Sequence, residues 1–87
     1  MLFKVYVIYA PAHDKLFTGM TTGLGDRMEV HNGSGTSDWT SEYRPWTLVH
    51  MELFDNDDEA TLRESYLKSR EGEQFLRANV LSLFNFS

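Results

Sequence analysis

The sequence predicts an α+β fold, a mixed α/β domain with a small three-stranded antiparallel sheet flanked by helices in the order β-β-α-β-α-α. Three observations carry this. Leu2–Ala10 and Trp46–Phe54 are runs rich in β-branched and aromatic residues, the composition of strands. The turn Pro11–Asp14 separates the first run from another apolar segment and is short enough for an antiparallel return. From Glu59 onward, apolar side chains recur at helical spacing.

The first strand, Leu2–Ala10, stops at Pro11 and is apolar on both faces, which suits a central or well-covered strand. Lys15–Thr18 returns as its hairpin partner and Gly19 ends it. Thr21 or Thr22 then caps a helix whose apolar contacts come from Leu24, Met28 and Val30. Gly23 and Gly25 weaken its first turn by roughly 1 kcal/mol each relative to alanine. Asn32-Gly33 closes it in a left-handed conformation. Residues 33–43, rich in Gly, Ser and Thr, read as a long loop suited to binding. Pro45 is confined to the entry of the third strand, Trp46–Phe54. Asp55-Asn56-Asp57-Asp58 breaks that strand and offers a cap and favourable charge to a helix over Glu59–Ser69. A second helix runs from Gly72 or Glu73 to about Leu81, presenting Phe75, Leu76 and Val80. The apolar tail Leu81–Phe86 folds back on the core or meets a partner chain, which makes a homodimer contact one of its two expected uses.

Eighty-seven residues are expected to form a single domain over 1–87 with one core. There is no cysteine, hence no disulfide framework and no thiolate ligand. Neither a secretion signal nor a membrane-length apolar run is present, so the expectation is a cytoplasmic protein without a membrane partner. The net charge of −5 argues against indiscriminate nucleic-acid affinity. Its distribution matters more. Residues 32–62 hold seven acidic groups against Arg44 alone, whereas residues 1–31 are balanced and residues 63–87 carry one excess positive charge.

Arg27 and His31 lie four residues apart, one turn of a helix, so both can reach one object. An arginine fork and an imidazole together suit a phosphate; alternatively Arg27 pairs with Asp26 or Glu29 and His31 meets the helix dipole. Glu64 falls four residues after Ala60 and three before Leu67, beside the apolar face. A carboxylate there calls for a partner, either a divalent cation or an arginine such as Arg63. Tyr6 and Tyr9 sit on opposite strand faces, so one can be core while the other lines a site. Lys4 and Lys15 are placed to face each other near the hairpin's open end or to decorate it. Trp46 reads as packing, with Trp39 open between packing and base stacking. Walker-type, dinucleotide-binding and cysteine-based zinc motifs are absent.

Taken in order, Lys4-Val5-Tyr6, Phe17-Thr18-Gly19, Arg27, His31-Asn32, Arg44-Pro45-Trp46 and the helix Ala60–Ser69 around Glu64 form a series of separated motifs. With Gly72 and Phe75-Leu76 they resemble the GIY-YIG nuclease family, in its small stand-alone form, over about residues 2–80. The resemblance implies a metal-dependent DNA endonuclease that hydrolyses phosphodiester bonds in DNA repair or processing. It implies catalytic roles for Tyr6, Arg27, His31 and Glu64, with one Mg²⁺ or Mn²⁺ ion on Glu64. It implies substrate contacts at Phe17, Gly19, Lys15, Asn32 and Arg44, and DNA, bound weakly or by its structure, as the partner. Three departures favour an alternative, a weakly active or inactive GIY-YIG-like module that binds nucleic acid or protein. Phe17 replaces a tyrosine common among relatives. Leu76 takes the place of an asparagine twelve residues after the glutamate, with Asn79 three residues out of register. The loop before Pro45 carries Asp38, Ser41 and Glu42 where close relatives are often basic.

Overall fold

Val5 to Ala10 are buried without interruption, the environment that an apolar run on both faces demands of a central strand. The computed structural model describes residues 2–32 and 42–84. Along the chain these form β1 (Phe3–Ala10), β2 (Lys15–Thr21), α1 (Leu24–Asn32), β3 (Thr47–Phe54), α2 (Asp57–Lys68) and α3 (Arg70–Asn79), then a single 3-10 turn over Leu81–Leu83. The sheet order is β2-β1-β3 with both pairings antiparallel. The expected α+β architecture and element order are therefore present.

Strand alternation divides the core in two. Val5, Val7 and Tyr9 pack with Ala60 and Leu67 of α2 and with Leu76 of α3. Tyr6, Ile8 and Ala10 point the other way, into a cluster with Trp46, Phe17 and the α1 residues Leu24 and Met28. The helix pair α2–α3 thus covers one face and α1 the other. A bulge opposite Val7 and Ile8 shifts the β1–β3 register and lets Val49 join the helix-pair core.

Several boundaries differ from expectation, each for a physical reason. β2 continues through Gly19 to Thr21 because Gly19 lies opposite Tyr6. A Cβ at Gly19 would sit 2.6 Å from the Tyr6 hydroxyl and 2.7 Å from Cζ, so glycine admits the ring there and does not end the strand. α2 begins two residues early because the Asn56 side chain accepts the Glu59 N–H at 3.1 Å. Ser69 does the same for α3, accepting the Gly72 N–H at 3.1 Å, so that helix starts at Arg70. Lys4 pairs with Thr21 and Lys15 with Ala10, which places the two lysines at opposite ends of the hairpin. In the tail, Leu81 packs on the core while Leu83 stands 81% exposed. The readings at Gly33, Asp38, Trp39, Ser41 and Phe86, and for the Val30 side chain, lie outside the described residues. Among the described residues no helix is long and apolar enough to cross a membrane.

The hairpin turn is tied to α3. Asp14 adopts a positive φ of 52° and accepts the Tyr9 hydroxyl at 2.6 Å and Arg77 Nη1 at 2.9 Å. The hydrogen bond from Tyr9, followed by that from Arg77, holds the Asp14 carboxyl below its ordinary value. A carboxyl depressed on folding adds stability that is present above its unfolded pKa, near 3.9, and is lost as pH falls through the folded value. Asp14→Asn, which tolerates the same backbone, should therefore lower the urea midpoint at pH 7 and do so by less at about pH 3, below the unfolded value. Equal midpoints at both pH values would remove this role.

Candidate functional site

The centre of the α1 face is built by β1, β2 and the last turn of α1. β1 turns the Tyr6 ring toward α1 across Gly19, and α1 returns His31 to the same point. His31 is 0% and Tyr6 1% exposed, and the Tyr6 hydroxyl lies 2.9 Å from His31 Nε2 in a buried hydrogen bond. Either the phenol donates to an unprotonated Nε2 or an Nε2–H donates to the phenol oxygen. Phe17 lies 4.9 Å from the imidazole, ring centre to ring centre, and Trp46 lies 6.4 Å away. His31 is therefore an interior group in an aromatic cage. His31 does lie in the last turn of α1, and to that position the structure adds burial and the bond to Tyr6.

The next residue braces this arrangement. Asn32 Oδ1 accepts the Trp46 N–H at 2.6 Å and its Nδ2 donates to the Trp46 carbonyl at 3.2 Å. Both ends of the amide thus hold the entry of β3, just beyond the cis Arg44–Pro45 bond. Arg27 is half-buried one turn before His31, and Arg44 is exposed beside Pro45. Lys15 Nζ lies 5.4 Å above the Tyr43 ring, a cation–π contact on the same face.

Glu64 belongs to the other side of the sheet. It lies on α2 along the stripe between the buried Ala60 and Leu67, as its spacing implied, with its side chain 19% exposed. Its partner is Lys68, whose Nζ is 3.0 Å from Oε2. Arg63 is engaged elsewhere. It grips Glu52 of β3 through Nε at 2.9 Å and Nη2 at 3.0 Å, and its guanidinium lies over the rings of Tyr66 and Phe75. Burial works to raise the Glu52 carboxyl, but hydrogen bonds from Arg63 and from His50, 2.7 Å away, outweigh it and hold the group below its ordinary value. The sequence reading missed this network, although positions 50 and 52 share a strand face. The Glu64–Lys68 pairing was also legible, as glutamate four residues before lysine.

The structure thus brings Tyr6, His31, Phe17 and Gly19 together and keeps Arg27 and Asn32 on the adjoining helix, while Glu64 stays on the helix pair across the sheet, paired with Lys68. Leu76 is buried core and carries no amide, and Asn79, exposed three residues on, donates through Nδ2 to the Phe75 carbonyl at 3.2 Å. Among the described residues no group of three or more histidines or acids is placed to hold a metal. Mg²⁺ is commonly held by one or two carboxylates with waters and substrate phosphates completing the shell. Glu64, a hard oxygen donor near the surface, fits that single-carboxylate arrangement, with Lys68 on one of its oxygens.

Residues 3–77 match the family model described as the GIY-YIG catalytic domain. The chain belongs to the GIY-YIG family. This GIY-YIG protein is 35% identical over 86 residues to a UPF0213 protein of Pediococcus pentosaceus, spanning 95% of the chain and 90% of that relative. It is also 35% identical over 75 residues to one from Staphylococcus haemolyticus, spanning 85% and 92%. The solution NMR structure of a UPF0213 protein from Bacillus halodurans superposes with a TM-score of 0.56 at 26% identity, covering 90% of this GIY-YIG chain and 84% of that one.

Proposed function

We propose that this GIY-YIG domain is a nucleic-acid-binding module in which phosphodiester hydrolysis is weak or lost. The observation that carries the reading is the interior position of Tyr6: its hydroxyl is bonded to the buried His31 and its ring lies against Gly19. A phenol held in this way cannot meet an attacking water without the core opening. The absence of a hydroxyl at Phe17 and of an amide at Leu76 supports the same reading. Nucleic acid is the favoured partner because Lys4 and Lys15 lie on the α1 face of the sheet and Arg27 lies on α1 itself. The acids Asp55, Asp57, Asp58 and Glu59 gather at the start of α2 on the other side.

A second reading, a metal-dependent DNA endonuclease, draws on the half-buried Glu64 and on the retained Tyr6, Arg27 and His31. There Glu64 would hold one Mg²⁺ or Mn²⁺ ion, which when bound supplies Lewis-acid polarisation of a phosphoryl oxygen. Arg27 would offset charge on the phosphoryl group, and Tyr6 with His31 would orient and deprotonate water after releasing each other.

Fluorescence anisotropy with labelled single-stranded, flapped and duplex DNA in EDTA, followed by cleavage assays in Mg²⁺ or Mn²⁺, separates the two. The module reading expects binding that weakens with salt and no more product from wild type than from Glu64→Gln. Divalent-dependent product lost in Glu64→Gln would instead establish the endonuclease, and no binding to any DNA at low salt would remove the module.

A further inference from the structure

Between β2 and the helix pair, on the face of the sheet away from α1, lies a cavity of about 270 Å³. Leu16 and Thr18 reach it from β2 because they stand opposite Tyr9 and Val7, whose side chains pack toward α2 and α3. Leu67 and Leu76 supply the facing wall, and the exposed Lys68 and Glu73 stand at its rim. Three leucines thus make an apolar space with a polar edge.

Thr18 is the exception among the walls. It is 6% exposed, and among the described residues its hydroxyl makes no hydrogen bond, although every side-chain polar atom sealed from water there is paired. The hydroxyl is therefore open to the cavity, where it can donate one hydrogen bond and accept another. The charges at the rim are already opposed: Lys68 Nζ lies 3.0 Å from Glu64 Oε2, and Glu73 Oε2 accepts Arg77 Nε at 3.0 Å. An ion entering the cavity would lose its water and find no unpaired opposite charge. A neutral molecule avoids that cost, since its apolar body leaves water against the leucines and a single polar group meets Thr18. The space exceeds the roughly 150 Å³ of an apolar cavity that takes up benzene, so one substituted ring, or an aliphatic molecule of that size, fits it.

We infer that this cavity is a binding site for a small neutral molecule, mainly apolar and carrying one hydroxyl or carbonyl group, which Thr18 orients against Leu16, Leu67 and Leu76. The site lies across the sheet from Tyr6 and His31, and it does not depend on the nucleic-acid reading. The leucines hold the body of the ligand and the Thr18 hydroxyl holds its polar group, so the two contributions can be removed separately. A charge on the ligand works against binding.

The test is titration of the full chain, ¹³C-labelled at its methyl groups, with p-cresol, which is neutral at about pH 7, with toluene, which lacks the hydroxyl, and with the anion 4-methylbenzoate. The methyl resonances of Leu16, Leu67 and Leu76 report binding in wild type, Thr18→Val and Thr18→Ser. Wild type should bind p-cresol with a Kd of about 1 mM or tighter, and 4-methylbenzoate should leave the leucine methyls in place over the same range. Thr18→Val keeps the shape of the side chain and should weaken p-cresol about five-fold while leaving toluene within about two-fold. Thr18→Ser, which keeps the hydroxyl, should stay within about two-fold of wild type for both. Leucine methyls that ignore p-cresol up to about 10 mM, an equal loss of p-cresol and toluene in Thr18→Val, or 4-methylbenzoate binding as tightly as p-cresol would overturn the inference.

Discussion

Gly72→Ala is expected to destabilise the domain by more than about 3 kcal/mol, among the largest effects a single methyl can produce here. Gly72 lies in the first turn of α3, buried where that helix passes the end of α2. A Cβ at this position would collide with the Tyr66 carbonyl oxygen and lie 2.6 Å from Leu67 Cα. These are backbone atoms, so no side-chain rotation relieves the clash, and α3 can avoid it only by moving away from α2. That movement would withdraw Leu76 and Val80 from the core they share with Leu67. In a domain of this size the thermal midpoint should fall by more than about 12 °C. Glu71→Ala, exposed one residue away, should melt like wild type. A Gly72→Ala midpoint within a few degrees of wild type would mean that the α2–α3 junction is not as close as described.

The second large effect is expected at His31. His31→Ala should cost about 3 kcal/mol, because it empties a fully buried site among Phe17, Trp46 and Tyr6 and deprives the Tyr6 hydroxyl of this partner. Tyr6→Phe keeps the ring and removes the hydroxyl alone, so it should cost about 1–2 kcal/mol. The double variant should lose less than the sum, with a coupling of about 1 kcal/mol, measured by urea unfolding. Strict additivity would mean that the two groups do not share the bond. Any change in DNA binding or cleavage by these variants has to be read against this loss of stability.

The strands and helices were legible because each has a local cause. β1 is apolar on both faces and proved central, and Asn56 caps α2 from within the polar run that suggested a cap, whereas Ser69, read as the end of one helix, caps the next. Gly19 was misread as a strand end because a glycine that admits a ring from the neighbouring strand looks the same, in one dimension, as a glycine that stops a strand. The four-residue spacing of Arg27 and His31 placed them on one helix but carried no sign of depth. His31 is buried because Tyr6, Phe17 and Trp46 arrive from three strands or their edges, and that convergence is non-local. The same limit applied to Glu64. Its stripe position was readable, but Arg63, the neighbouring candidate partner, is drawn away by Glu52 from β3, which leaves Lys68 to pair with it.

The account turns on Tyr6 and His31 being partners inside the core, and long-range ¹H–¹⁵N correlation spectra of the three imidazoles test this most directly. It predicts that Tyr6→Phe moves the His31 ring resonances while those of the exposed His13 stay in place, and that oligonucleotide and Mg²⁺ together leave the wild-type His31 signals unmoved. A His31 ring that shifts when DNA and Mg²⁺ are added, or that ignores the loss of the Tyr6 hydroxyl, would contradict it.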